Sequence, residues 1–335
     1  MQPSPASQSR AVRAPRAQRA IGVAVAAALL QLLMIVAFAW PAARVAPRDL
    51  PIVVAGPQAG AVAERLAHER PGAFEVAVRP DEAAARADLA DREAYGAVVA
   101  TPSGPRMLIS SAASPVVGQM LTQVAQEMAG GPAAPVQDVV AAPTGDPRGS
   151  GFGALALPLI MSGLAAAVLF TFAVPSPAWR ASGVVLFAVL GGFGVAALAQ
   201  GWLDILTGSY LGVAGVMSLA ILAVSGTVAG LAAAIGRAGI AVGGLTFLLL
   251  GNPLSGATAA PELLPQPWGD LGQLLPPGAA VSLLRSVAFF DGAGLAGPMA
   301  VLAAWAAAGL LLFGVGGLRG RVKEAPVEER EPALA

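Results

Sequence analysis

Ala20–Trp40 reads AIGVAVAAALLQLLMIVAFAW, twenty-one consecutive residues without a charge. At a rise of 1.5 Å per residue such a helix is about 30 Å long, the thickness of a bilayer's hydrocarbon core. It is preceded by Arg10, Arg13, Arg16 and Arg19 with no acidic residue among them, so by the positive-inside rule the tail 1–19 is expected in the cytoplasm. A cleaved secretory signal is the competing reading, because Ala37-Phe38-Ala39 resembles a small-x-small cleavage site. The apolar stretch exceeds the roughly 7–15 residues of a signal's hydrophobic region, which favours a retained span at 20–40.

The rest of the chain has the composition this segment announces. Of 335 residues only 12% are charged and 56% are hydrophobic, where a soluble protein carries roughly 25% charge. The mean hydropathy is +0.69. With 20 basic and 20 acidic residues the net charge is zero, and no global field exists to recruit nucleic acid. There is no cysteine and one histidine, His68, which excludes disulfides, thiolate chemistry and zinc sites of the usual spacing. Charge is also unevenly spread: 21 of the 40 charged residues lie in 41–151 and only 7 in 152–318.

Within 152–317 five further spans can be placed, at about Phe152–Val174, Ala181–Gln200, Leu211–Ile235, Ala238–Leu250 (short) and Pro298–Gly317. Six spans put both termini on one side. Segments expected inside carry Arg180, Arg237 and the cluster Arg319, Arg321 and Lys323 of the tail 318–335. The outer loop Gly201–Tyr210 has Asp204 and no basic residue, and the outer segment 251–297 has Arg285 against Glu262, Asp270 and Asp291. Charge and topology agree. Polar residues within the spans, such as Gln31, Ser218, Thr227 and Thr246, are not ionisable, so a proton relay has no carrier. Asp204 and Arg285 are expected at the outer boundary. The spacings Gly208/Gly212, Gly226/Gly230 and Gly239/Gly243 allow close helix approach, as packing or as a dimerisation code.

Residues 41–151 alternate strand-like and helix-like segments: a buried strand at Ile52–Ala55, a helix at Ala59–Arg70, a strand at Phe74–Arg79, a helix at Asp81–Glu93 and a strand at Tyr95–Ala100. A strand near Met107–Ser110, a helix at Pro115–Met128 and a strand near Val136–Ala141 complete a small extracytoplasmic α/β domain. Asp81 after Pro80 is a helix start. Asp81, Glu82, Asp88 and Asp91 share their helix with Arg86 and Arg92 and read as a solvated face. His68, with no second ligand type arranged around it, reads as a surface histidine. Neither G-x-x-x-x-G-K-[ST] nor a G-x-G-x-x-G opening a helix after a strand occurs in this block, so any ATP used is bound by another polypeptide. Acid–base and nucleophile constellations are missing, and no enzymatic activity is expected.

The most distinctive stretch is Asn252–Phe290, NPLSGATAAPELLPQPWGDLGQLLPPGAAVSLLRSVAFF. Pro-Leu-Ser-Gly (Ser255, Gly256) is followed by Pro261, Leu264-Pro265, Leu275-Pro276 and then Arg285 in an apolar helix. Prolines break the backbone ladder, and non-helical backbone at membrane depth survives only where protein or water satisfies it. Asn252–Pro277 is therefore expected to line a cavity or to lie at the outer interface, with Trp268, like Trp40, Trp202 and Tyr210, as an interfacial anchor. The plainer alternative is a long amphipathic outer loop without a transport role.

This order resembles the carboxyl-terminal signature of ABC-2-type export permeases. The layout is similar too: basic tail, one span, extracytoplasmic α/β domain, then five spans. Gly145-Asp146-Pro147-Arg148-Gly149 leading into Leu157-Pro158-Leu159 resembles the actinobacterial, phage-infection-protein-like branch of that superfamily. The resemblance implies a multi-pass bacterial plasma-membrane permease, a homodimer or heterodimer, with re-entrant or interfacial segments in 251–297. It implies no cofactor in this chain, ATP being used through a separate ATP-binding-cassette ATPase, and outward movement of an amphipathic or lipid-like substrate. It also implies a cytoplasmic helix between spans two and three that docks on the ATPase, whereas Pro175–Arg180 is too short and Pro-rich to form one. The competing expectation is a non-transporting envelope protein whose outer domain binds a partner while its helices act as anchor or assembly platform.

Overall fold

The computed structural model describes residues 16–102, 104–131 and 134–324. The arginines of the basic tail before residue 16 and the tail from residue 325 onward lie outside the described residues. Among the described residues five helices are long and apolar enough to cross a membrane: α1 (Arg16–Ala43), α5 (Ser150–Ala173), α6 (Pro177–Gly201), α7 (Tyr210–Ile235) and α11 (Ala296–Glu324). The chain is a membrane-embedded, mostly helical protein carrying a small α/β domain. The short span expected at 238–250 is a nine-residue helix, α8 (Arg237–Leu245), continued by a π-helical turn at Thr246–Gly251. Together these form an apolar helix shorter than the five.

Between α1 and α5 the chain builds a five-stranded sheet in the order β2-β1-β3-β4-β5. The strands are β1 (Leu50–Ala55), β2 (Phe74–Arg79), β3 (Gly96–Thr101), β4 (Gly104–Ile109) and β5 (Val136–Asp138). β2, β1 and β3 are parallel, joined through α2 (Ala59–Glu69) and α3 (Glu82–Ala90), while β4 runs antiparallel to β3. The parallel strands need helical crossovers, and the residues between them supply these. Asp81 accepts from the Ala84 N–H at 2.9 Å as the cap of α3, and Ser114 caps α4 (Pro115–Ala129) through the Val117 N–H. Along β1 the side chains alternate: Leu50, Ile52 and Val54 join the core under α2 and α4, and Val53 and Ala55 the core under α3.

In the membrane half α7 is the axis. Of its most apolar window 67% is buried, against 0% for α1, which meets the rest at the π-helical turn and where the Trp40 and Trp268 rings stand edge-on at 6.4 Å. Close packing around α7 is made by glycine. A Cβ on Gly309 of α11 would sit 2.5 Å from the backbone of Gly226 and Thr227, and one on Gly316 2.6 Å from the Ala233 carbonyl. Gly192 of α6 likewise meets the backbone of Ser218. Gly226/Gly230 thus serve contact with α11 of the same chain, and Gly239/Gly243 lie against Leu231 and Val228 of α7. Without a hydrophobic drive between helices in lipid, such backbone contact supplies the dispersion that holds them. Across this seam the Thr227 hydroxyl donates to the Trp305 carbonyl at 3.1 Å.

Arg180, expected as a positive-inside marker, is buried and donates to the carbonyls of Thr171 (3.1 Å) and Val174 (2.9 and 3.2 Å). It closes the carboxyl end of α5, where four carbonyls lack helical partners. Only residues 174–176 separate α5 from α6. We expect Gly309→Val to lower the unfolding free energy by about 1–3 kcal/mol or more through overpacking, measured by thermal or denaturant unfolding in detergent. Gly314→Val, where an added Cβ meets nothing within 4 Å, should leave it unchanged.

Candidate functional site

The proline-rich stretch does not lie as a free outer loop. Ser255 is buried; its hydroxyl donates to the Asn252 carbonyl at 2.7 Å and accepts from the Ala257 N–H at 3.3 Å. Gly256 follows with φ +68°, a left-handed turn that a side chain would strain. Beyond it, Ala259, Ala260 and Leu263 belong to the same buried core as Leu50, Ile52 and Val117 of the α/β domain. Pro261 opens a 3-10 turn (Pro261–Leu263), Leu264 is buried at its end, and the Pro265 carbonyl accepts from the Trp268 N–H that begins α9 (Trp268–Gln273). Leu275 in extended conformation caps α10 (Pro276–Phe289), with Pro276 at its first position, where a missing N–H costs nothing.

Arg285 projects from α10 into this junction and is buried. It donates to the carbonyls of Gly256 (3.2 Å), Ala257 (3.0 Å) and Ala259 (3.2 Å), and its guanidinium lies 4.9 Å from the Phe152 ring centre at the start of α5. Three acceptors with no sheet or helix partner are thereby satisfied by one side chain. Arg285 is enclosed by protein, at the meeting of α5, α10 and the turn after Ser255, where the α/β domain joins the membrane half. Of the motif residues, Ser255, Gly256, Pro261 and Arg285 converge here. Leu275 and Pro276 serve the start of α10 instead, and Leu264 and Pro265 the turn into α9.

The α/β domain completes the site. The Tyr95 hydroxyl donates to Glu262 Oε2 at 2.8 Å, and Arg92 donates to the Ser282 carbonyl at 3.0 Å with its guanidinium 5.4 Å from the Phe290 ring. Arg92 therefore leaves the solvated face on which the sequence pattern put it. Its own φ of +62° turns the chain toward α10. Asp88 leaves that face too, pairing with Arg79 at 2.7 Å. Burial pushes the Tyr95 hydroxyl above the usual tyrosine range, and the Glu262 carboxylate adds to the shift. Burial lowers the Arg92 guanidinium, with Tyr95 and Glu262 opposing the change. On the amino-terminal side Arg48 donates to the Leu263 carbonyl at 2.8 Å, and the Ala46 and Arg48 N–H groups donate to Leu263 and Glu262. Asp146, buried, accepts from the Phe152 N–H at 2.7 Å in the first turn of α5, where the helix end favours an anion.

Tyr95, Arg92, Glu262 and Asp146 were not singled out by their sequence positions as one site. No spacing links residues some 170 positions apart; only the presence of Glu262 and Arg285 in an otherwise charge-poor half marked them. His68, by contrast, is exposed on α2. Two hollows flank the junction. One, about 480 Å³, is walled by Arg92, Tyr95, Glu262, Ser282 and Arg285 on one side and by the first turns of α11 on the other. The second is a narrow apolar cleft between α5, α7 and α10, lined by residues including Leu159, Met217, Ile221 and Leu284. No protein-family model, curated protein or solved structure matches the chain.

Two outcomes test this geometry. Arg285→Met should destabilise the folded chain by on the order of 3 kcal/mol by leaving the Ala257 and Ala259 carbonyls without a donor, and limited proteolysis should open the chain near Thr258. Stability tied to Tyr95 is complete below about pH 10, the ordinary tyrosine value, and is lost as pH rises beyond it, because the unfolded phenol ionises first. Of the two tyrosines, Tyr95 should therefore show no phenolate absorbance in the native protein at about pH 11, and should show it on unfolding; Tyr95→Phe identifies the signal.

Proposed function

We propose that this chain is a permease-like subunit of an exporter similar to the ABC-2 type, with six spans, both termini in the cytoplasm and the α/β domain outside. The observation that carries the reading is the cleft between α5, α7 and α10. Its wall is almost wholly apolar, from Leu159 and Met217 to Leu284, and it is closed at the α10 end by Pro276 and Pro277. Discontinuous helices beside a cleft are a recurring construction of transporters, because broken backbone is tolerated where it lines a cavity. Here α8 gives way to the π-helical turn, and α9 and α10 follow before the chain enters α11. A cleft of this chemistry suits the apolar part of an amphipathic or lipid-like substrate, which would move outward past the α/β domain. A second copy or a related subunit would supply the opposite wall, for which the unpacked face of α1 is available. ATP would enter only through a separate ATPase, and no covalent chemistry falls to this chain.

One observation favours the other reading, an envelope protein that anchors and presents its outer domain. The link between α5 and α6 is three residues, pinned by Arg180, and leaves no helix there for an ATPase to grip. Purification from the native membrane distinguishes the two. Export requires a stoichiometric ATPase and ATP-dependent efflux from vesicles, and Met217→Trp, which fills the cleft, should abolish efflux while the α/β domain stays folded. If no ATPase co-purifies and no efflux occurs, the anchoring reading stands. A reporter fused after Ala141 should be accessible from outside, and labelling from the cytoplasm would overturn the proposed orientation.

A further inference from the structure

The 480 Å³ hollow between the α/β domain and the membrane half has a charge pattern that the fold does not consume. Its inner wall carries two guanidiniums, Arg92 and Arg285, and one carboxylate, Glu262. Among the described residues neither arginine has a carboxylate within 4 Å; their partners are backbone carbonyls and aromatic rings. Carbonyl dipoles satisfy the N–H groups but cancel no charge, so these three side chains keep one positive charge in excess. Glu262 is held as an acceptor by the Tyr95 hydroxyl rather than by an arginine. Opposite, Gly297 and Pro298 bring the amino-terminal end of α11 to the hollow, the end of a helix that favours an anion. Asp270 stands at the exposed rim, where solvent screens it. Leu274 and Val301 add apolar wall.

We propose that this hollow is a binding site for a singly charged phosphodiester, held by Arg92 and Arg285 against the start of α11. One excess positive charge matches one negative charge, and a dianion would meet Glu262 and Asp270 at added cost. Arg92, engaged by the Ser282 carbonyl through one nitrogen alone, offers paired donors to two phosphate oxygens, while Arg285, whose donors hold the turn, contributes its charge. The hollow is large enough for a headgroup and lies within the usual range for small-molecule sites. A phosphodiester reaches it either as a lipid headgroup or as a soluble diester, and both carry the same recognised group. The inference stands apart from the export reading, since the cleft lined by Met217 takes no part in it.

The test uses the full chain in a phosphate-free detergent, titrated with glycerophosphoglycerol by calorimetry and with short-chain phosphatidylglycerol by native mass spectrometry. Saturable binding of at least one probe is expected; preference for the lipid identifies a headgroup site, and equal binding a site for the soluble diester. Arg92→Gln should weaken binding at least tenfold. Glu262→Gln, which keeps an acceptor for Tyr95 but removes the competing charge, should strengthen it severalfold, a gain that a merely structural role would not give. Val301→Trp, filling the hollow from α11, should abolish binding and decides the matter if Arg92→Gln does not fold. Absence of saturable binding, or equal binding by wild type and Val301→Trp, overturns the proposal.

Discussion

Arg285 solves the problem that the proline-rich segment creates. After Ser255 the chain runs through a left-handed glycine and a turn that belongs to neither helix nor sheet, and its buried carbonyls need donors that no regular backbone ladder supplies. One guanidinium reaches three of them, at 3.0 to 3.2 Å, and rests on the Phe152 ring. A lysine, a point charge on a flexible stem, has no such fork. With the turn fixed, Ala259, Ala260 and Leu263 are delivered to the face of the sheet, and the two halves of the molecule share one core.

That sharing has a mechanical consequence. A domain tethered only by α1 and the strand leading to α5 would be free to swing, because tethers transmit little. Here it is joined at the Arg48 to Leu263 bond, the Tyr95 to Glu262 bond and the Arg92 to Ser282 bond, and by Phe290 buried against Ala112 and Ala113. Any movement of α10 is therefore felt by the α/β domain, and any event at the hollow between them is felt by α10. The apolar cleft is bounded by the same helix, at Val281 and Leu284.

Much of the local structure was legible in the residues. The alternation of FEVAVR gives β2 at Phe74–Arg79, and Asp81 caps α3 as its place after Pro80 implies. The apolar runs without charge give five of the six expected spans, the first among them, as long helices at nearly their expected limits, while Ala238–Leu250 becomes α8 with its π-helical turn. Less was legible at the junction. Asn252–Pro277 was expected to line a cavity or to lie at the outer interface; part of it walls the hollow at Pro261 and Glu262, but Ala259 to Leu263 enter the core of the α/β domain. Small apolar residues look alike whether they face lipid, solvent or another domain, and only their neighbours distinguish these. Arg92 illustrates the same limit, since its place among acidic residues in the helix expected at Asp81–Glu93 suggests water, whereas α3 ends at Ala90 and the backbone turns Arg92 toward α10.

Hydropathy, charge asymmetry and the 2.0 and 3.6 residue periods are properties of short stretches, so the sequence by itself determined a membrane protein with a single polar insert and the elements of that insert. The partners of an unpaired charge are a property of space. Arg285 could be read as an exception in an apolar helix, but its three carbonyls, the ring beneath it and the Arg92, Tyr95 and Glu262 around it come from segments far apart in the chain. Only the tertiary structure brought them together, because the cost of burying a charge is set by what surrounds it and not by what precedes it.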